Sequence, residues 1–154
     1  MKLVQATKTG IVFRLGQREK HSLVQILKLY PCMPPAHHRL SKSGRLPDAE
    51  ENQQLLNEAL AEQRADNKKQ VQTLLADSRR FAITETGTRL SLTRADAEWL
   101  LQVLNDIRVG SWVNLGSPED KPAELTPANA RHFLAMEMAG YFQTQLLESL
   151  EGGT

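Results

Sequence analysis

The chain has 154 residues, of which 24% are charged and 40% hydrophobic, and a formal net charge of +1. That length fits one domain and can bury roughly two thirds of the unfolded surface, so folding requires no metal or disulfide. The balance excludes a disordered chain and argues against nucleic acid as a dedicated partner, while leaving a local basic patch open.

Lys2–Thr7 and Ile11–Leu15 flank Lys8-Thr9-Gly10, which the pattern predicts as the turn of a first β-hairpin. Gly16 closes it. A helix is expected over Arg18–Tyr30, because Leu23, Ile26, Leu27 and Tyr30 recur at helical spacing, and Pro31 stops it. Cys32–Pro47 then reads as one long irregular loop, basic through Arg39, Lys42 and Arg45.

A second helix starts at Asp48, a capping residue with Glu51 three positions on. It carries two apolar patches, Leu55, Leu56, Ala59 and Leu60, then Val71, Leu74 and Leu75, separated by the polar Glu62–Gln70. Unbroken, it would run on the order of 45 Å at 1.5 Å per residue, while a domain of this size has a radius of gyration of about 15 Å. The Asp48–Ser78 region is therefore expected to bend back on its own core or to meet a protein partner, most simply a second copy in a homodimer. Leu56, Leu60, Asn67, Val71 and Leu74 form a candidate seam for a partner helix.

Phe81–Ile83 and Leu90–Leu92 flank Glu85-Thr86-Gly87-Thr88 as a second hairpin. Thr93 caps the next helix, with Asp96 in the reciprocal position. This helix, through Ala97–Gly116, is apolar over most of its surface and holds both tryptophans. Leu100, Leu104 and Ile107 share one face. Arg108 falls at about 80° from Leu100, inside the apolar sector, and is expected to be buried and paired with a group from another element, the alternative being that it snorkels to solvent. Gly110-Ser111 is the expected place for the helix to bend or end. The charged loop after Gly116 leads to Thr126, which caps a last helix with Pro127 in its first turn. Ala135, Ala139 and Gly140 there allow close helix approach, and Phe133, Leu134, Met138, Phe142 and Leu146 are its expected core. The helix runs to about Leu150, and Gly152–Thr154 is a frayed tail.

The fold class is therefore α+β and mainly helical, a single domain over 1–154 of about four helices and two β-hairpins that can pair into one small antiparallel sheet. No apolar run reaches the roughly 20 residues that span a bilayer, the N-terminus lacks a signal-peptide core, and Cys32 is the lone cysteine. The expected location is the cytoplasm, with no membrane contact.

Chemistry is sparse. Cys32, His37 and His38 lie close in sequence, but zinc sites pair their ligands at characteristic spacings and take a further ligand, so no metal site is expected. There is no G-x-S-x-G, H-E-x-x-H, G-x-G-x-x-G or phosphate loop, and neither catalytic residues nor a cofactor are assigned. The residues that could hold a ligand or partner are Asn105, Asp106, Arg108 and Trp112 of the long helix. The expected function is a non-enzymatic interaction or regulatory module. The alternatives are an enzyme or ligand-binding protein with its site around Asn105, Asp106 and Arg108, and weak nucleic-acid binding through the basic Cys32–Pro47 loop.

Trp99-Leu100, Leu104-Asn105-Asp106-Ile107-Arg108 and Leu115-Gly116 together resemble the signature of an uncharacterised bacterial family of mainly helical proteins. Phe13-Arg14-Leu15 leading to Glu19, and Gln145-Leu146-Leu147 followed by Leu150, are similar to its start and end. The family is a domain of unknown function, best represented in actinobacteria and often encoded beside the ClpS adaptor of the Clp protease. The resemblance implies a fold and a genomic neighbourhood rather than a reaction. It does not extend to the Cys32–Pro47 loop or to Trp112.

Overall fold

Four strands form, β1 (Lys2–Ala6), β2 (Gly10–Leu15), β3 (Phe81–Thr84) and β4 (Gly87–Thr93), and burial alternates with period two along β2 and β4. In the structure, a computed structural model that describes residues 1–34, 49–118 and 126–152, the two hairpins join through β2 and β4. One antiparallel sheet of order β1-β2-β4-β3 results. Its inner face is Ile11, Phe13, Leu15, Leu90 and Leu92, all essentially sealed from solvent. The second hairpin turns more tightly than the sequence suggests, with Thr84 paired directly to Gly87. Gly87 takes a φ of 141°, and a Cβ there would lie 2.6 Å from the Leu15 carbonyl oxygen, so only glycine fits.

Four helices follow from their caps and apolar faces. Helix α1 (Gln17–Leu27) begins where the Gly16 N–H donates to Glu19 Oε1 at 3.1 Å. It ends three residues before the expected Tyr30. Helix α2 spans Ala49–Ala76, and its expected cap Asp48 lies outside the described residues. Helix α3 (Arg94–Asn114) opens with the anticipated capping box. Thr93 Oγ1 accepts from the Asp96 N–H at 3.0 Å, and Asp96 Oδ2 accepts from the Thr93 N–H at 3.4 Å. Helix α4 (Pro127–Gly152) is capped in the same reciprocal way by Thr126 and Asn129.

The core lies between the sheet and the helices. Leu23, Ile26 and Leu27 of α1, Leu100, Val103, Leu104 and Ile107 of α3, and Phe142 and Leu146 of α4 meet the inner sheet face. Helices α3 and α4 form the most extensive helix pair. Buried Ala135 and Ala139 permit the close approach foreseen for small residues. Leu134 departs from its expected core position and is 59% exposed. Among the described residues no helix is long and apolar enough to cross a membrane.

Helix α2 is continuous over 28 residues, about 42 Å. Only Val71 and Leu74 of it are buried, so its C-terminal half is anchored in the core while its N-terminal half is not. This corrects the partner-seam reading of Leu56, Leu60, Asn67, Val71 and Leu74. The domain itself uses that face: Val71 and Leu74 are in the core, and Asn67 is bonded to two other elements.

Candidate functional site: the polar face of helix α3

Helix α3 does not end or bend at Gly110-Ser111, as its sequence suggests. Both residues are buried inside the helix. The reason is the polypeptide that crosses them. Asp106, Gly110 and Asn114 recur every four residues, so they line one stripe of α3, and the chain leaving α1 lies along it. Asp106 Oδ1 accepts from the Cys32 N–H at 2.7 Å and from the Met33 N–H at 3.3 Å. Asn114 Nδ2 donates to the Cys32 carbonyl at 3.3 Å. Between them, Gly110 has no side chain because none fits. A Cβ would fall 2.5 Å from both the Cys32 carbonyl carbon and the Met33 nitrogen.

The same segment is held from α2. Arg64 Nη2 donates to the Met33 carbonyl at 2.6 Å. One residue group closer to the core, Asn67 Nδ2 donates to Tyr30 Oη at 3.0 Å, and Asn67 Oδ1 accepts from the Trp99 indole N–H at 3.1 Å. Asn67 therefore joins α2 to α3 and to the chain after α1. Burial pushes the Tyr30 phenol above its ordinary pKa, partly opposed by the Asn67 hydrogen bond.

Cys32 sits in the middle of this junction. Its thiol donates to the Leu29 carbonyl at 3.3 Å. Burial first, and then the negative charge of Asp106, push its pKa up to about 11. A thiol held protonated is a poor nucleophile and a poor metal ligand. His37 and His38, its companions in the metal reading, lie outside the described residues, as does most of the basic loop. Among the described residues no three His, Cys, Asp or Glu side chains gather as a metal site.

Arg108 is exposed, which corrects the expectation of a buried ion pair. The snorkelling alternative holds. Its aliphatic stem crosses α4 where Gly140 leaves room, with Cδ 3.7 Å from where a Cβ of residue 140 would be. Its guanidinium donates to Asn105 Oδ1 at 3.2 Å. Asn105 Oδ1 also accepts from Gln143 Nε2 of α4 at 3.4 Å. Trp112 is 39% exposed, and its indole N–H donates to the Pro118 carbonyl at 3.0 Å, closing the turn after α3.

The four candidate residues thus point three ways. Asn105 and Arg108 face α4, Asp106 faces the Cys32–Met33 backbone, and Trp112 faces the turn at Pro118. Each polar group is engaged within the protein, and the constellation around Asp106 works as a backbone clamp. Gly110, Asn114, Asn67 and Arg64 complete that clamp. The first two could have been found from their spacing of four from Asp106. No sequence pattern announces the other two.

A family model described as a domain of unknown function, DUF2017, matches residues 1–150. No curated protein and no solved structure matches the chain.

Proposed function

The chain belongs to that family of unknown function, and we propose that it is a non-enzymatic interaction module working in the cytoplasm, whose contact with another chain, most simply a second copy, runs through α2. The observation that carries this reading is Leu55. It is 59% exposed on a helix whose N-terminal half is not part of the core. At 100° per residue, Glu51, Leu55, Glu58 and Glu62 share a sector of about 60°, opposite the sector of Leu56, Leu60, Asn67, Val71 and Leu74. All four are exposed. An apolar side chain set in an acidic stripe is the form of a contact anchor rather than of a catalytic site. The rival reading, a ligand site at Asn105, Asp106 and Arg108, has less support, because those groups already bond one another, α4 or the Cys32–Met33 backbone.

Sedimentation velocity across a range of concentrations tests the proposal. The wild-type chain should self-associate, and Leu55→Lys should shift it towards monomer while leaving the melting temperature unchanged at concentrations where both are monomeric, since Leu55 is outside the core. A wild-type monomer at every concentration would remove the second-copy form of the reading.

A further inference from the structure

The outer face of the sheet carries an unusual row of charge. Strand register places Lys2 opposite Arg14 and Arg14 opposite Arg89, so three cations stand side by side across β1, β2 and β4. All three are exposed, and none makes an ion pair among the described residues. Like charges directly opposite one another on a sheet are destabilising, and a sheet normally intersperses signs. Asp77 and Asp96, at the other end of the sheet, are taken by Arg80, and Glu85, exposed in the turn between β3 and β4, makes no ion pair with the row among the described residues. The row is therefore a standing cost to the monomer that an anionic partner would relieve.

The chain itself carries a matching anion. Between Ala49 and Gln63, α2 contains Glu50, Glu51, Glu58 and Glu62 and no cation. Glu51, Glu58 and Glu62 lie on its outward face, without an ion pair among the described residues. The dimensions agree. Glu51 and Glu58 are seven residues apart, about 10.5 Å along the helix axis. Lys2 and Arg89 are two strand spacings apart, roughly 10 Å. A helix laid across the strands would set Glu51 and Glu58 over the two ends of the row, with Leu55 midway, above the aliphatic stem of Arg14 and half-buried Val12. The row itself is made of three cations, with Leu3 and Val4 of β1 exposed beside it, a surface that an apolar side chain of the partner can meet. The acidic stripe supplies one in Leu55.

We infer that the outer sheet row Lys2–Arg14–Arg89 of one copy receives the Glu51–Leu55–Glu58 stripe of α2 from a second copy. This rests on the reading of α2 as the contact element and names the surface it meets. Used reciprocally, the two contacts close a two-fold dimer. Because the pairs are exposed at the rim, the association weakens as salt rises.

Charge exchange tests it by sedimentation at low and high salt. Glu51→Arg with Glu58→Arg, and separately Arg14→Glu with Arg89→Glu, should each weaken self-association on the order of tenfold. An equimolar mixture of the two double variants should associate again, since each altered surface then meets its altered complement. At a concentration where the wild type is monomeric, the sheet variant should melt no lower than the wild type, because Arg14→Glu places an acid beside Lys2. A clear drop in melting temperature would mean that the protein itself stabilises the row, and overturns the premise. If Leu55→Lys disperses the dimer while the sheet variant leaves it intact, α2 remains the contact and the row is not its receiver. If the sheet variant disperses it and neither α2 variant does, the α2 reading fails as well. A wild type that stays monomeric while the row binds an acidic peptide or duplex DNA assigns the row to another partner and overturns the inference.

Discussion

Gly110→Ala is the sharpest test of the clamp on α3, because two effects of opposite sign compete at one methyl group. Alanine is the better helix former, worth about 1 kcal/mol over glycine in a helix interior. Against this, the new Cβ would lie 2.5 Å from two backbone atoms of Cys32 and Met33 and 2.7 Å from Cys32 Cβ. Backbone cannot rotate away as a side-chain tip can, so α3 and the crossing segment must separate. Overpacking of this kind costs about 1–3 kcal/mol. Separation also stretches the 2.7 Å bond from the Cys32 N–H to the Asp106 carboxylate, and a hydrogen bond to a charged group contributes about 1.5–3 kcal/mol. The clash and the lost bond outweigh the propensity gain, and the net expectation is destabilisation by about 2–4 kcal/mol. For a chain of this size that lowers the melting temperature by about 5–15 °C. Urea and thermal unfolding followed by circular dichroism measure it. A variant as stable as the wild type, or more stable, would refute the reasoning, since helix propensity would then have won and the segment would not be clamped.

Three further outcomes follow from the same geometry. Arg108→Ala should change stability by less than about 1 kcal/mol, because the side chain is exposed and its guanidinium donates to Asn105, a neighbour on the same helix; a loss of about 3–5 kcal/mol in denaturant titration would restore it to a buried pair. Asn67→Ala removes the bonds to Tyr30 and Trp99 together and should cost about 1–3 kcal/mol, with faster amide exchange in α2 and a shift in Trp99 fluorescence; unchanged exchange would mean that Asn67 does not anchor the helix. Cys32, with its pKa raised from 9.0 to about 11, should react with a thiol reagent at pH 8 about a hundredfold more slowly than the unfolded chain. The raised value favours the folded state fully below about pH 9, and that contribution is lost as pH rises towards 11, because the unfolded thiol ionises first. Equal labelling rates in the folded and unfolded chain at pH 8 would contradict it.

Helix capping and alternation are local, so they were readable from the residues alone. Thr93 with Asp96 marks the start of α3, Thr126 marks α4, and the alternation of Phe81 with Ile83 and of Leu90 with Leu92 marks the second hairpin, of which Phe81, Leu90 and Leu92 are buried while Ile83, on the edge strand, is 74% exposed. Four helices and two hairpins, with the small residues that let α4 approach α3, follow from the same short-range physics. What only the tertiary structure decided are the roles of the polar residues, because a polar side chain takes its meaning from a group far away in sequence. Asp106 looked like a ligand residue and proves to hold backbone 73 and 74 positions away. Arg108 sits in an apolar sector by angle, yet it leaves the core because Gly140 on another helix opens a path. Gly110 read as a break in α3 and is instead the one side chain small enough for the crossing chain. The row Lys2–Arg14–Arg89 lies silent in the sequence for the same reason. Its members are brought side by side by the register between strands, and register depends on all the inner-face contacts at once.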